Sequence, residues 1–374
     1  MIRRILQWPL VTLLFASAAC FAHKQSDSYL TLSVNGQALT GQWDIALRDL
    51  DFAIGLDADE NGQITWGEVR QRRDAIAAYA LEHLRIGTNS DVNSTCPLRA
   101  GELLIDEHVD GNYAVLELSG QCAASAARIG ISYSLMAGVD PNHRGLLDLR
   151  SNGAGQSRVL VNDASPTWLQ IDRIEHWQQF RTFVVEGVRH IWLGYDHILF
   201  LFTLLLPAVV IRKQGAWHAR ASLRESALDI VEVVTAFTLA HSLTLALAAV
   251  GVLQLPSRWV ESAIAFTVLL GAANIVYPVV RERRWLLALG FGLIHGLGFA
   301  SVLADLGLTA GNLIQALVGF NAGVELGQLA IVLALMPFAF MVRDTSFYRL
   351  LLPGGATVIG CLAVYWMVTR AVTL

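Results

Sequence analysis

His190 and His197, seven residues apart and with Asp196 beside the second, lie inside an apolar run from about Phe183 to Ile211. That run is long enough to cross a bilayer. An ionised side chain at the bilayer centre costs about 2.5 to 3.5 kcal/mol even on insertion scales, so such groups need a partner or an ion. His241, His295 and Glu325 fall near the middles of three later apolar runs, which brings imidazole or carboxylate from four helices to one depth. Imidazole and carboxylate without thiolate suit nickel, zinc, cobalt or ferrous iron. The lone Cys361 of the apolar half and five scattered methionines do not suit Cu(I).

On a straight helix His190 and His197 share one face, with Glu186 one turn earlier on that face. They also stand about 10 Å apart along the axis at 1.5 Å per residue. One ion held at about 2 Å by both imidazoles does not fit that spacing. The expectation is therefore two levels, Glu186 with His190 nearer the outer mouth and Asp196 or His197 at the midplane. Asn321, Glu325 and Gln328 share a face of a later run, and Asn274 is the polar residue of the run before His295. Small residues around His295 and Glu325 let helices approach closely. The plainer alternative is that each polar group only hydrogen-bonds a neighbouring helix.

A second ligand pattern precedes the apolar half. Asp57, Asp59, Asn61, Gln63 and Glu68 occupy the oxygen-donating positions of a twelve-residue calcium loop, 57–68, with Gly62 at the sharp turn and Ile64 pointing inward. The spacing predicts a helix from Trp66 to about Arg85 and a calcium site of structural type. A solvated acidic turn is the alternative.

These groups must be positioned by two kinds of sequence. The chain of 374 residues is 54% hydrophobic and 16% charged, with mean hydropathy +0.47, which is too apolar for an ordinary soluble domain. Residues 1–22 carry Arg3, Arg4, an apolar core and small residues up to Ala22, the layout of a signal peptide. Alternatives there are lipid attachment at Cys20 or an uncleaved anchor; cleavage after Ala22 would leave His23 as a terminal chelator. Residues 23–170 read as a β-rich exported domain, opening with a hairpin about Asn35-Gly36 and continuing in short strands. Cys96 and Cys122 are predicted to form a disulfide there. A linker at 171–182 leads to the domain at 183–374.

Six spans are expected in that domain, at about 183–211, 230–252, 259–280, 285–304, 313–340 and 350–371. Arg212, Lys213, Arg220, Arg224, Arg281, Arg283, Arg284, Arg343 and Arg349 all fall in alternate loops, while the opposite loops hold Arg258. Positive loops inside put the N-terminal domain outside. In a Gram-negative cell this is an inner-membrane protein with a periplasmic domain. The fold class expected is a membrane all-α six-helix bundle preceded by a small exported α+β domain, rich in β, with one EF-hand-like loop. The net charge of -4 and the absence of a basic cluster outside short loops exclude nucleic acid as a partner. The partners implied are a metal ion and the lipid bilayer.

His190, five residues, then Asp196-His197 resembles the first-helix signature of the HupE/UreJ family, membrane proteins regarded as secondary nickel or cobalt permeases. Ile294-His295-Gly296 is similar to the Phe-His-Gly that opens the family's second signature. Seven residues after that histidine the family has a glutamate where this chain has Val302, and Glu325 is the spatial substitute the sequence offers. The resemblance covers the six spans and implies His190, Asp196, His197 and His295 as metal ligands. The exported calcium-loop domain marks a longer branch.

The leading expectation is a permease for a divalent transition metal such as nickel or cobalt. The competing one is an intramembrane zinc-dependent hydrolase of lipid or peptide, in which three histidines hold zinc and Asp196 or Glu325 activates water, with Ser242 and Ser301 nearby. An exported binding domain with a mere anchor explains six spans poorly. No phosphate-binding Gly-rich loop with lysine is present, which argues against ATP-driven pumping by this chain.

Overall fold

The computed structural model describes residues 26–373 other than 89–90, 109–110, 124, 126, 152–153, 163–164, 172–175, 214–215, 254, 281–282 and 299–309. The expected leader at 1–22, Cys20, His23, Ser301 and Val302 lie outside the described residues.

Alternating apolar residues around Asn35-Gly36 form the antiparallel hairpin of β1 (Asp27–Asn35) and β2 (Ala38–Ala46), with Gly36 at φ 65° supplying the turn's positive dihedral. The further strands are β3 (Leu84–Thr88), β4 (Asp91–Thr95), β5 (Leu98–His108), β6 (Gly111–Gln121), β7 (Arg128–Tyr133), β8 (Arg144–Ser151), β9 (Ala154–Val161) and β10 (Thr167–Gln170). They make a six-stranded sheet in the order β5-β6-β2-β1-β8-β9 and a four-stranded sheet in the order β10-β7-β3-β4. One face of the larger sheet, with Leu30, Trp43, Ile45, Leu116 and Leu118, closes on Ile86, Ile129 and Ile131 of the smaller.

Helices α1 (Leu47–Ile54), α2 (Trp66–Gln71) and α3 (Arg73–Glu82) pack against that core. The single helix expected from Trp66 to Arg85 is thus two helices. Arg72 leaves helical geometry at φ -93° and ψ 9°, and Leu84 already begins a strand. Beneath α1 runs a buried polar chain. Trp43 Nε1 donates to Ser28 Oγ at 3.0 Å, Ser28 Oγ bonds Tyr133 OH at 2.8 Å, and Tyr133 OH bonds His143 Nε2 at 2.5 Å. His143 Nδ1 then bonds Ser26, which donates to Asp49 Oδ2 at 2.5 Å. Burial pushes His143 down to about 3, so its neutral ring relays donors toward the carboxylate on α1. This network fastens the helix that enters the loop at 57–68 to both sheets.

The second face of the larger sheet is buried too, at one end. Tyr29, Ala46, Tyr113 and Leu146 pack against Phe183, Ile191, Leu245, Phe320 and Val324 of the helical half. A half-solvated sheet would carry polar residues at those positions. Their burial makes the β-rich domain a cap on the bundle.

The helical half contains α4 (His176–Leu193), α5 (Tyr195–Leu205), a 3-10 turn (Leu206–Val209), the hairpin β11 (Val210–Lys213) and β12 (Ala216–Ala219), and then α6 (Leu223–Ala249), α7 (Ser257–Val276), α8 (Arg284–His295), α9 (Ala310–Val342) and α10 (Ser346–Thr373). Helix α4 starts inside the expected linker, with Gln178 accepting from Arg158 Nη2 of β9 at 3.0 Å and the His176 carbonyl accepting from Gln315 of α9.

Four helices, α6, α7, α9 and α10, are long and apolar enough to cross a membrane, and the bent pair α4 with α5 makes five. The expectation of six regular spans is corrected at the first run. That run is not one helix but two, bent by 71° at Gly194, and beyond Val209 it turns into the hairpin. The fourth expected run, 285–304, is described as helix over Arg284–His295, 12 residues, with 299–309 outside the described residues. At Gly194 a Cβ would sit 2.5 Å from the His190 carbonyl oxygen and 2.8 Å from His197 Nδ1, so the bend admits no side chain. Helix α4 meets α9 at a seam where Gly187 and Gly323 face each other's backbones, and a Cβ on either would fall 2.1 Å from a carbonyl oxygen.

Cys96 and Cys122 form the expected disulfide, closing 26 residues. Replacing both with serine in the full chain is expected to lower stability by about 3 to 4 kcal/mol through the chain entropy of the unfolded state. Denaturant unfolding followed by tryptophan fluorescence, beside wild type with and without reductant, checks it. Coincident midpoints would contradict it.

Candidate metal centre

The bend at Gly194 sets the site. The 71° bend between His190 and His197 brings their ring centroids to 4.5 Å, where a straight helix would hold them about 10 Å apart along its axis. The two-level arrangement expected for this pair is therefore corrected to one level. His241 on α6 joins them: one ligand nitrogen from each of His190, His197 and His241 lies within 4.8 Å of the others. His295, at the end of α8, has its ring 5.0 Å from that of His197. Phe200, Phe237 and Phe320 surround the four imidazoles at centroid separations from 5.2 to 6.3 Å. His197, His241 and His295 are buried, at 7%, 0% and 1% exposure.

Hydrogen bonds around the cluster fix which nitrogens carry protons. Asn321 Nδ2 donates to the Leu317 carbonyl at 2.8 Å, which orients the amide, so Asn321 Oδ1 accepts from His241 Nδ1 at 3.1 Å. His241 Nε2 is then the basic nitrogen. Thr267 Oγ1 donates to the Ile264 carbonyl at 2.6 Å, so it accepts from His295 Nε2 at 2.9 Å and leaves His295 Nδ1 basic. Both basic nitrogens, and both nitrogens of His197, are buried without a hydrogen-bond partner. An unmet buried polar group costs about 1 to 3 kcal/mol. Several at one place are what a site looks like when its ligands point at a cation, with outer hydrogen bonds setting the tautomers.

The carboxylates proposed from sequence have partners other than the rings. Asp196 Oδ2 is ion-paired with Arg370 Nη2 at 2.9 Å. Glu325 Oε1 accepts from Thr235 Oγ1 at 2.9 Å, facing α6. Glu186, one turn before His190, lies in the field of Arg144 from the β-rich domain. Gln328 accepts from Thr238 at 3.3 Å, and Ser242 Oγ turns back to the Thr238 carbonyl at 2.7 Å. Asn274 caps the end of α7 by bonding Val279 and Val280. Thr267, which sequence reading passed over, is the residue of α7 that reaches a histidine. Its only signal was position, near the middle of a span facing the run of His295.

In the loop at 57–68, a carboxylate oxygen from each of Asp57, Asp59 and Glu68 lies within 4.8 Å of the others. Asp57 Oδ2 accepts from Gly62 N at 2.7 Å, and this bond above all holds its carboxyl below the usual range. Glu68 accepts from Thr65 N at 2.8 Å and Ala58 N at 3.0 Å, with its pKa likewise lowered. Asn61 Oδ1 accepts from Gln63 N at 2.7 Å. Gly62, at φ 79°, makes the turn that gathers them.

Asn321→Ala and Thr267→Val are each expected to weaken cobalt binding by about 10- to 100-fold, the usual effect of losing a bond that orients a ligand histidine. Thr267→Ser keeps the acceptor and should bind like wild type. Titration of the purified protein with Co2+, followed by visible absorption, checks it; equal affinity in all four proteins would contradict the tautomer assignment.

No curated protein matches the chain. The family model described as HupE / UreJ protein matches residues 167–370, a span that runs from β10 through every helix of the membrane half to the last turn of α10 and includes all four histidines. The match covers more than half of the 374 residues, and the chain belongs to the HupE/UreJ family.

Proposed function

We propose that the protein is a secondary permease for a divalent transition-metal ion such as nickel or cobalt, which is its substrate. What carries this reading is the set of buried imidazole nitrogens without partners on His197, His241 and His295, from α5, α6 and α8, with those of His241 and His295 directed by Asn321 and Thr267. Imidazoles in a shell of phenylalanine rings bind borderline metals and discriminate against calcium and magnesium, which prefer oxygen. For inward movement of a divalent ion, the membrane potential supplies about 4.6 kcal/mol per 100 mV, twice the single-charge figure.

The hydrolase reading has less support. It requires a carboxylate beside the metal to activate water. Among the described residues Asp196 is engaged by Arg370 and Glu325 by Thr235, and the amide of Asn321 holds His241 where a carboxylate is commonly found.

Orientation follows from charge. Arg220 and Arg284 meet on Asp229 at 3.1 and 2.9 Å, and Arg343 Nε donates to the Arg220 carbonyl at 2.9 Å, at the end of the bundle away from the β-rich cap. Placing this end in the cytoplasm puts the cap in the periplasm of a Gram-negative inner membrane, in keeping with the export signal at 1–22. The oxygen donors of Asp57, Asp59, Asn61 and Glu68 fit calcium, a hard cation, which would stiffen the loop between α1 and α2.

His197→Ala and His241→Ala are expected to reduce cobalt accumulation by cells expressing the protein to the level of the empty vector, at unchanged protein in the membrane. Accumulation equal to wild type in both would remove the permease reading. Separately, calcium should raise the unfolding temperature of the purified chain by several degrees in wild type and not in Glu68→Gln. The same rise in both proteins would exclude the loop as the calcium site.

A further inference from the structure

The carboxylate beside the histidines is already engaged by a cation of the chain itself. Arg370, in the last turn of α10, reaches Asp196 in the first turn of α5 through two parallel contacts, Nη1 to Oδ1 at 3.2 Å and Nη2 to Oδ2 at 2.9 Å. Its Nε lies 3.7 Å from Glu261 Oε2 on α7, and Nη1 also donates to the Glu261 carbonyl at 3.3 Å. Ser257 Oγ donates to the other oxygen of the same carboxylate at 3.2 Å. All three charged side chains are largely buried, at 10%, 18% and 16% exposure for Arg370, Asp196 and Glu261. Two carboxyl groups share one guanidinium.

The position of this trio matters. Glu261 lies six residues, about 9 Å, along α7 from Thr267, the residue that orients His295. The displacement is toward the β-rich cap, since α7 begins there, just after the end of α6 that packs under the cap through Leu245 and Ala248. Asp196 is joined through the chain to His197, whose two ring nitrogens are without partners. The trio therefore adjoins the histidine cluster on the cap side. A guanidinium is charged at every physiological pH and matches a carboxylate as a fork, so it leaves this place only by displacement.

We propose that Arg370 is a tethered counter-cation that fills the Asp196–Glu261 carboxylate pair while the histidine cluster is empty, and that a divalent transition-metal ion displaces it to use that pair as an outer binding site. The proposal rests on the permease reading. A divalent ion brings two charges to two carboxyl groups where the guanidinium brings one, and in a low-dielectric site that difference drives the exchange. Because Arg370 remains tethered on α10, it returns as the ion moves on, which keeps the site from becoming a trap. No covalent step is involved.

The test is Co2+ binding to the purified full chain, with uptake into proteoliposomes alongside. Arg370→Gln removes the competitor and should bind Co2+ at least tenfold more tightly than wild type, with a lower half-saturating concentration and a lower maximal rate of uptake. Arg370→Lys keeps the charge, protects the fold and replaces the fork by a point charge; it should tighten binding by a smaller factor. Glu261→Gln leaves a balanced Arg370–Asp196 pair and should weaken binding at least fivefold. A merely structural role for Arg370 gives unchanged or weaker binding in both arginine variants. Should Arg370→Gln fail to fold, unchanged or weaker binding by Arg370→Lys alone overturns the proposal. Co2+ binding that is indifferent to Arg370 sinks the proposal and leaves the permease standing, whereas no binding by wild type sinks both.

Discussion

The membrane half is arranged around nitrogen atoms that have nothing to bond. A buried imidazole nitrogen without a donor or acceptor is costly, and His197, His241 and His295 together leave four of them in a space walled by phenylalanine. A fold that wanted only packing would have leucine at these positions. The outer hydrogen bonds from Asn321 and Thr267 add direction, because each commits one nitrogen to a neighbour and leaves the other basic. On the permease reading, a borderline, partly desolvated divalent cation would satisfy such a set.

Bringing the rings together demands unusual backbone. Helix α4 ends and α5 begins within one residue at Gly194, and the 71° bend there converts a separation along one axis into an edge-on meeting of the His190 and His197 rings. Bare glycine surfaces at Gly187 and Gly323 then let α9 lie against α4, which places Asn321 within reach of His241. The same economy of side chains explains why this region is rich in glycine without being a loop.

Charge is distributed around the cluster and kept out of it. Arg370 with Asp196 and Glu261 lies toward the β-rich cap, and Arg284 with Asp229 lies at the far end, where the guanidinium also reaches the Leu204 carbonyl. The imidazoles thus stand between two groups of ion pairs in which charge is already compensated. The cap contributes its own buried face, Tyr29, Ala46, Tyr113 and Leu146, so the β-rich domain is part of the wall and not an appendage. Ala46 leads directly into α1, which Asp49 ties to both sheets and which enters the acidic loop at 57–68.

By itself the sequence determined the division into a β-rich and an apolar half, the hairpin at Asn35-Gly36, the Cys96–Cys122 pairing, the spacing of the acidic loop and the identity of the histidines. Each of these is local or compositional: alternation, turn chemistry, ligand spacing, or an ionisable residue where the surroundings are too apolar to hold it idle. Only the tertiary structure decided that the first apolar run breaks at Gly194, that Asp196 belongs to Arg370, 174 residues away, and that Thr267 orients a histidine. Those outcomes depend on which helix faces meet. A hydropathy pattern records that a residue is apolar or polar, while the partner of a buried polar group is set by helix packing across the whole chain, where no periodicity in the sequence reaches.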